Sequence, residues 1–187
     1  MRESSKLATD FSQRVAGKVY RAYLYCVARL ISENEGTVTA YDGDRIMGIF
    51  IGDTKNTNAA SCALKISHMV FNVLRPRLNE HFKSLNEAGF EISHCVGIDT
   101  GSFLAVRAGQ RGANDLVWVG RAPNLAASLS EVRLENVDSF ISNEVFSALN
   151  ESAKLGGEPK QPMWTEFSHA FLGEKIRVYG SGWMRSP

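Results

Sequence analysis

The sequence predicts an α+β layer fold, one sheet with helices packed on it. Three observations carry that expectation. Residues 5–31 place Leu7, Phe11, Val15, Val19, Tyr23, Cys26 and Leu30 near three-to-four spacing, the period of a helix with one buried face. Residues 37–41 and 46–51 are β-branched and apolar, and they flank Asp42-Gly43-Asp44, the composition of a hairpin. Beyond them, short apolar runs alternate with helix-like stretches, without an internal repeat, heptad run or low-complexity tract.

Each element has its own signal. Asn34-Glu35-Gly36 ends the first helix, glycine being a natural C-terminal stop. At the hairpin tip Gly43 supplies the positive φ of a tight turn. Asp53 or Thr54 caps the next helix, which runs to about Leu74 with Ala60, Ala63, Ile66 and Val70 inward, and Pro76 ends it. Residues 77–89 are polar and partly helical. Residues 91–98 form a strand, and residues 103–108 pair back on it across the Asp99-Thr100-Gly101-Ser102 turn. Residues 116–119 are a further short strand, and a helix opens near Ala122 with Pro123 tolerated in its first turn. A strand over 139–142, a helix over 143–149, a loop over 156–161 and a closing strand over 175–180 complete the chain.

Composition narrows the function. A length of 187 residues suggests one domain, 1–187. The net charge of +1 gives no basic field for nucleic acid. No apolar run approaches the roughly 20 residues of a membrane span, and the polar opening Met1-Arg2-Glu3-Ser4-Ser5-Lys6 lacks the apolar core of a signal peptide. Cys26, Cys62 and Cys95, odd in number and far apart, read as buried free thiols. Together these predict a cytoplasmic protein with no membrane and no nucleic-acid partner.

Two segments carry a resemblance. Gly43-Asp44 lies at the tip of a strand-turn-strand unit. Downstream, Gly97, Ile98, Thr100, Gly101, Gly109, Asp115, Gly120, Asn124 and Ala126 match, without a gap, a pattern of the class III nucleotidyl cyclases. The chain resembles that family, whose fold is a ferredoxin-like, palm-type sheet with helices packed on it. It is most similar to the pyrimidine cyclases of bacterial anti-phage (Pycsar) defence. The opening Arg2-Glu3-Ser4-Ser5-Lys6-Leu7-Ala8, the run Gly52-Asp53-Thr54-Lys55-Asn56-Thr57-Asn58, the run from Arg111 to Arg121 and the ending Val178-Tyr179-Gly180-Ser181-Gly182-Trp183 all look like theirs.

The resemblance implies conversion of UTP or CTP to its 3′,5′-cyclic monophosphate and pyrophosphate. The product would activate a separate effector protein. It also implies a pair of Mn²⁺ or Mg²⁺ ions and a homodimer with composite sites, Asp44 from one copy and Asn124 from the other. Asp44 would be a metal ligand, a carboxylate suited to a hard divalent cation; its other reading is a solvated turn aspartate. The family's first metal aspartate would align immediately before Met1, so the strand that carries it is absent from this sequence, and Met1 falls where a backbone carbonyl ligand lies. A shortened chain and a degenerate site are the two explanations. Under the second, the chain is a dimeric module that binds a nucleotide and signals without catalysis.

Other residues acquire roles by the same route. Arg2, Glu3, Ser4 and Ser5 would bind phosphates through their backbone N–H groups. Asn124 would orient the ribose. Ser128 stands where the family carries an arginine for the α-phosphate, and a hydroxyl does not replace a bidentate guanidinium. Arg121 or Arg107 would restore that charge, and Lys175 would meet the triphosphate; for each a solvated surface cation is the alternative. Ala40 and Val117 occupy the positions that read purines in adenylyl and guanylyl cyclases, and neither side chain can hydrogen-bond a base edge. Tyr41 would narrow the base pocket toward a pyrimidine, or is simply a half-buried strand aromatic.

Overall fold

The computed structural model describes residues 1–110 and 113–187, so Arg111 and Gly112 of the quoted run lie outside the described residues. The helix expected over 5–31 is two helices, α1 (Ser4–Asp10) and α2 (Gln13–Glu33). Phe11 breaks them in extended conformation, held edge-on to Phe90 at 5.4 Å between ring centroids. The Ser12 hydroxyl then accepts from the Val15 N–H at 3.4 Å and starts α2 afresh. α2 buries Val19, Tyr23, Val27 and Leu30. Its stop is not Gly36: Glu35 takes the left-handed position at φ 64°. Gly36 instead opens β1 (Gly36–Asp42), where an added Cβ would lie 2.7 Å from the Phe50 ring.

β1 pairs antiparallel with β2 (Arg45–Phe50), with Asp42 opposite Arg45 and Gly43 at φ 57° in the turn. α3 (Lys55–His68) follows. Its opening run is tied down twice. Asn58 donates to Glu35 at 2.7 Å, and Thr57 accepts from the Asn150 N–H at 3.0 Å. Pro76 does not end this helix. A π-helical stretch, Met69–Leu74, leads straight into α4 (Arg75–His81), with Pro76 in the first turn of α4. The wider turn absorbs a ring that would clash in a regular α-helix. The short α5 (Lys83–Glu87) completes this face.

The strand expected over 91–98 is only β3 (Val96–Ile98). The next two strands, β4 (Leu104–Gln110) and β5 (Ala113–Val119), pair with each other from Leu104 opposite Val119 to Gln110 opposite Ala113. Residues 103–108 therefore do not return onto β3; their backbone groups are satisfied within a separate two-stranded arm. α6 (Arg121–Ser130) comes next, then β6 (Ser139–Ser142), α7 (Asn143–Ser147) and α8 (Glu151–Lys154). β7 (Leu155–Gly156) and β8 (Gln161–Pro162) are a small pair around the expected loop. β9 (Thr165–Phe171) and β10 (Glu174–Ser181) form a hairpin, of which only the second strand was legible.

The main sheet has the order β3-β6-β10-β9, with β3 and β6 parallel. The expected single sheet is thus divided, since the β1–β2 hairpin does not join it. The outer edges of β2 and β3 instead border one cavity. Residues 1 and 2 reach across that gap. The Met1 N–H donates to the Asp44 carbonyl at 3.1 Å, and the Arg2 N–H to the Ser93 carbonyl at 2.8 Å. Among the described residues, no helix is long and apolar enough to cross a membrane.

Candidate active site

The cavity between the hairpin and the main sheet has a volume of about 1040 Å³. Tyr23, Val27 and Ile31 of α2 and Cys62 and Ile66 of α3 line it from below. Asp44 stands on its wall with Met1, Arg2, Glu3, Ser4, Ser5 and Ala40. The hairpin tip is fixed by Arg45, which pairs with Asp42 and reaches Glu131 at 3.3 Å, just past the end of α6.

Asp44 is built to meet positive charge. Burial works against its carboxylate, but the Met1 ammonium 3.2 Å away and the Ser4 hydroxyl outweigh it and hold the group below its usual range. The ammonium gains less: burial pushes it below its ordinary value despite Asp44. A carboxylate is the donor type a hard divalent ion requires. The fit is partial, because the described residues contain no cluster of three or more His, Cys, Asp or Glu groups. Arg2 points its charge elsewhere, donating to the Val137 carbonyl at 2.7 Å and pairing with Asp138 at 3.5 Å.

The remaining candidates do not line this cavity. Asn124 and Ser128 lie one turn apart on the outer stripe of α6, while Leu125 and Leu129 face the core. α6 is clamped against β3 at Gly97, where an added Cβ would lie 2.1 Å from the Ala126 carbonyl and 2.5 Å from the Ser130 nitrogen. That contact explains the glycine and sets the height of Asn124 along the sheet. Arg121 is already engaged, pairing with Asp99 at 3.1 Å and Glu144 at 3.6 Å. Arg107 and Val117 stand on the two-stranded arm, opposite Leu116 and Val106. Tyr41 is 60% exposed and is not among the cavity-lining residues, whereas its neighbour Ala40 is.

Lys175 belongs with neither set. Ile176 and Val178 pack on the α6 side of the sheet, and Tyr179 stacks on Phe146 of α7 at 3.7 Å. Side chains alternate along a strand, so Lys175 faces the α7 side, away from Ser128. His169 takes a place that sequence reading missed, with its Nε2 2.9 Å from the Ser128 Oγ. The alternation of Phe167, His169 and Phe171 was the signal available for it.

No family model matches the chain. It is 37% identical over 187 residues to a uridylate cyclase of Rhodovulum sp. (strain MB263), a match covering all of this chain and 78% of that protein. A uridylate cyclase of Burkholderia cepacia is 40% identical over 180 residues, 96% of this chain and 74% of the relative. Among solved structures, the guanylyl cyclase Cya2 superposes with a TM-score of 0.75 at 16% identity, covering 100% of this chain and 90% of that one. The guanylate cyclase domain of RhGC from Catenaria anguillulae, in complex with GTP, gives a TM-score of 0.74 at 15% identity, covering 98% of this chain and 92% of that one. At such identities the structural likeness establishes the α+β cyclase fold expected from the sequence, and the nearer relatives establish more: this chain belongs to the uridylate cyclase family.

Proposed function

We propose that this chain is a single catalytic domain that converts UTP to 3′,5′-cyclic UMP and pyrophosphate. The ribose 3′ oxygen bonds to the α-phosphorus, the bond from that phosphorus to the pyrophosphate oxygen breaks, and the hydroxyl proton leaves to solvent. The observation that carries the reading is the identity to proteins named uridylate cyclases over nearly the whole chain. Those names favour UTP over CTP, and Ala40 on the cavity wall suits a base read by shape more than by hydrogen bonds. Asp44 would hold a divalent cation, Mn²⁺ or Mg²⁺, one of the two that the resemblance implies. When bound, such ions lower the pKa of the 3′-hydroxyl and offset triphosphate charge. The first-turn N–H groups at Ser4 and Ser5, where a helix has no internal acceptors, would meet the phosphates.

The active unit we infer is a homodimer. Asp44 lines the cavity while Asn124 and Ser128 face away from it, so one copy holds half of each constellation. A twofold pairing would bring the halves of two copies together. The β4–β5 arm offers a surface for it, exposing Leu104, Leu116, Val117 and Val119, with Phe103 set edge-on to Trp118 at 5.4 Å. The cytoplasm as location rests on the composition, and an anti-phage effector as receiver of the cyclic nucleotide on the resemblance. A second reading, a nucleotide-binding module without catalysis, draws on Ser128 in place of arginine.

The test is product analysis. The protein is incubated with all four nucleoside triphosphates and Mn²⁺, and cyclic nucleotides are resolved by mass spectrometry beside Asp44→Ala. Cyclic UMP from the parent and at least about 100-fold less from the variant is the expected result. Nucleotide binding without any cyclic product would establish the second reading instead.

A further inference from the structure

We propose that His169 is a positioning residue of the outer half-site, aiming the Ser128 hydroxyl at the phosphates of the nucleotide. This rests on the composite cyclase site proposed above. His169 lies opposite Ile176 in the β9–β10 ladder, and Ile176 packs with the α6 cluster. The imidazole therefore emerges on the α6 side of the sheet, where its Nε2 is 2.9 Å from Ser128 Oγ. Ser128 shares its outward stripe with Asn124.

The direction of this hydrogen bond follows from what a triphosphate can accept. Its oxygens are acceptors, so a hydroxyl that faces them has to donate. Were Ser128 to give its proton to His169, it would present only lone pairs to an anion. With the hydrogen on Nε2, the imidazole donates to Oγ and the hydroxyl proton is left to point outward. Negative charge grows on the phosphoryl oxygens as the ring closes, and a donor fixed in advance is most effective there.

Neighbouring cations are committed elsewhere. Arg121 is held by Asp99 and Glu144, and Arg45 by Asp42 and Glu131. Arg133 donates to the Ser130 and Val132 carbonyls, each at 3.1 Å. Lys175 faces the other side of the sheet. The Ser128–His169 pair is a hydrogen-bonding arrangement that this stripe would offer to a partner's nucleotide.

Kinetics on UTP with Mn²⁺ test this with His169→Phe, His169→Gln, Ser128→Ala and the double variant His169→Phe/Ser128→Ala, each checked by melting temperature. His169→Phe should lower kcat about tenfold or more while KM stays within about twofold. His169→Gln, whose amide N–H can reach Oγ, should recover most of kcat. The double variant should be no slower than Ser128→Ala alone, because the two residues act as one unit. His169→Ala supplies the same comparison should the phenylalanine not fold. A parental kcat in His169→Phe or His169→Ala, or fully additive losses in the double variant, would overturn the assignment and leave the cyclase reading standing. A parent that forms no cyclic nucleotide would remove the cyclase reading and this role together.

Discussion

The Asp44 cavity and the outer stripe of α6 are opposites in construction. The cavity side is enclosed and internally paired: Asp44 meets the Met1 ammonium, Arg2 meets Asp138, and His94 is fully buried beneath. The α6 side is open, with Asn124 facing outward and Ser128 held only at its rim by His169. One side holds charge within the chain, and the other presents neutral donors outward. The difference teaches that the residues grouped by motif are not grouped in space within one copy. In the dimer proposed above, a second copy would supply the other face.

The contact that joins the two sides is the first place to break this arrangement. Gly97→Ala puts a Cβ against the Ala126 carbonyl, so α6 must shift off β3. Overpacking of this kind typically costs about 1–3 kcal/mol. Denaturant unfolding should show that loss, and turnover should fall further than stability alone explains, because Asn124 moves with the helix. Unchanged turnover in a folded Gly97→Ala protein would mean that the position of α6 does not matter.

Acid should distinguish the two sides as well. Burial, aided by the Met1 ammonium and the Arg2 and Arg75 guanidiniums, pushes His94 down to about 3 from its ordinary 6.5. The unfolded chain takes up that proton near pH 6.5, whereas the folded protein resists it to about pH 3. Stability from this group is therefore full above pH 6.5 and is lost as pH falls toward 3. Melting temperatures of the parent should drop across that window, and those of His94→Leu should drop less steeply. Equal slopes would show that acid sensitivity arises elsewhere.

Local chemistry was legible in the sequence, and relations across distance were not. The hairpin around Asp42 and Asp44 could be read because glycine and aspartate announce a turn between β-branched runs. The α1–α2 break was missed because periodicity runs on through Phe11, and only the capping Ser12 marks it. β9 went unread, and His169 with it, since Thr165 to Phe171 alternates weakly among polar residues. The side of the sheet that Lys175 faces depends on register, which no local pattern fixes. The engagement of Arg121 depends on Asp99, 22 residues away, and is invisible until the chain folds.

Complementation between two inactive variants asks whether one site draws on two copies. Asp44→Ala and Asn124→Ala are each purified, checked for folding, and assayed for cyclic UMP alone and after mixing under conditions that exchange subunits. Asn124 is exposed, so its variant should keep its stability within about 0.5 kcal/mol. If each site takes Asp44 from one copy and Asn124 from the other, the mixture should regain about a quarter of parental activity, through mixed dimers that keep one intact site. No activity from the mixture, with subunit exchange demonstrated, would place both residues in the same copy's site and contradict the account.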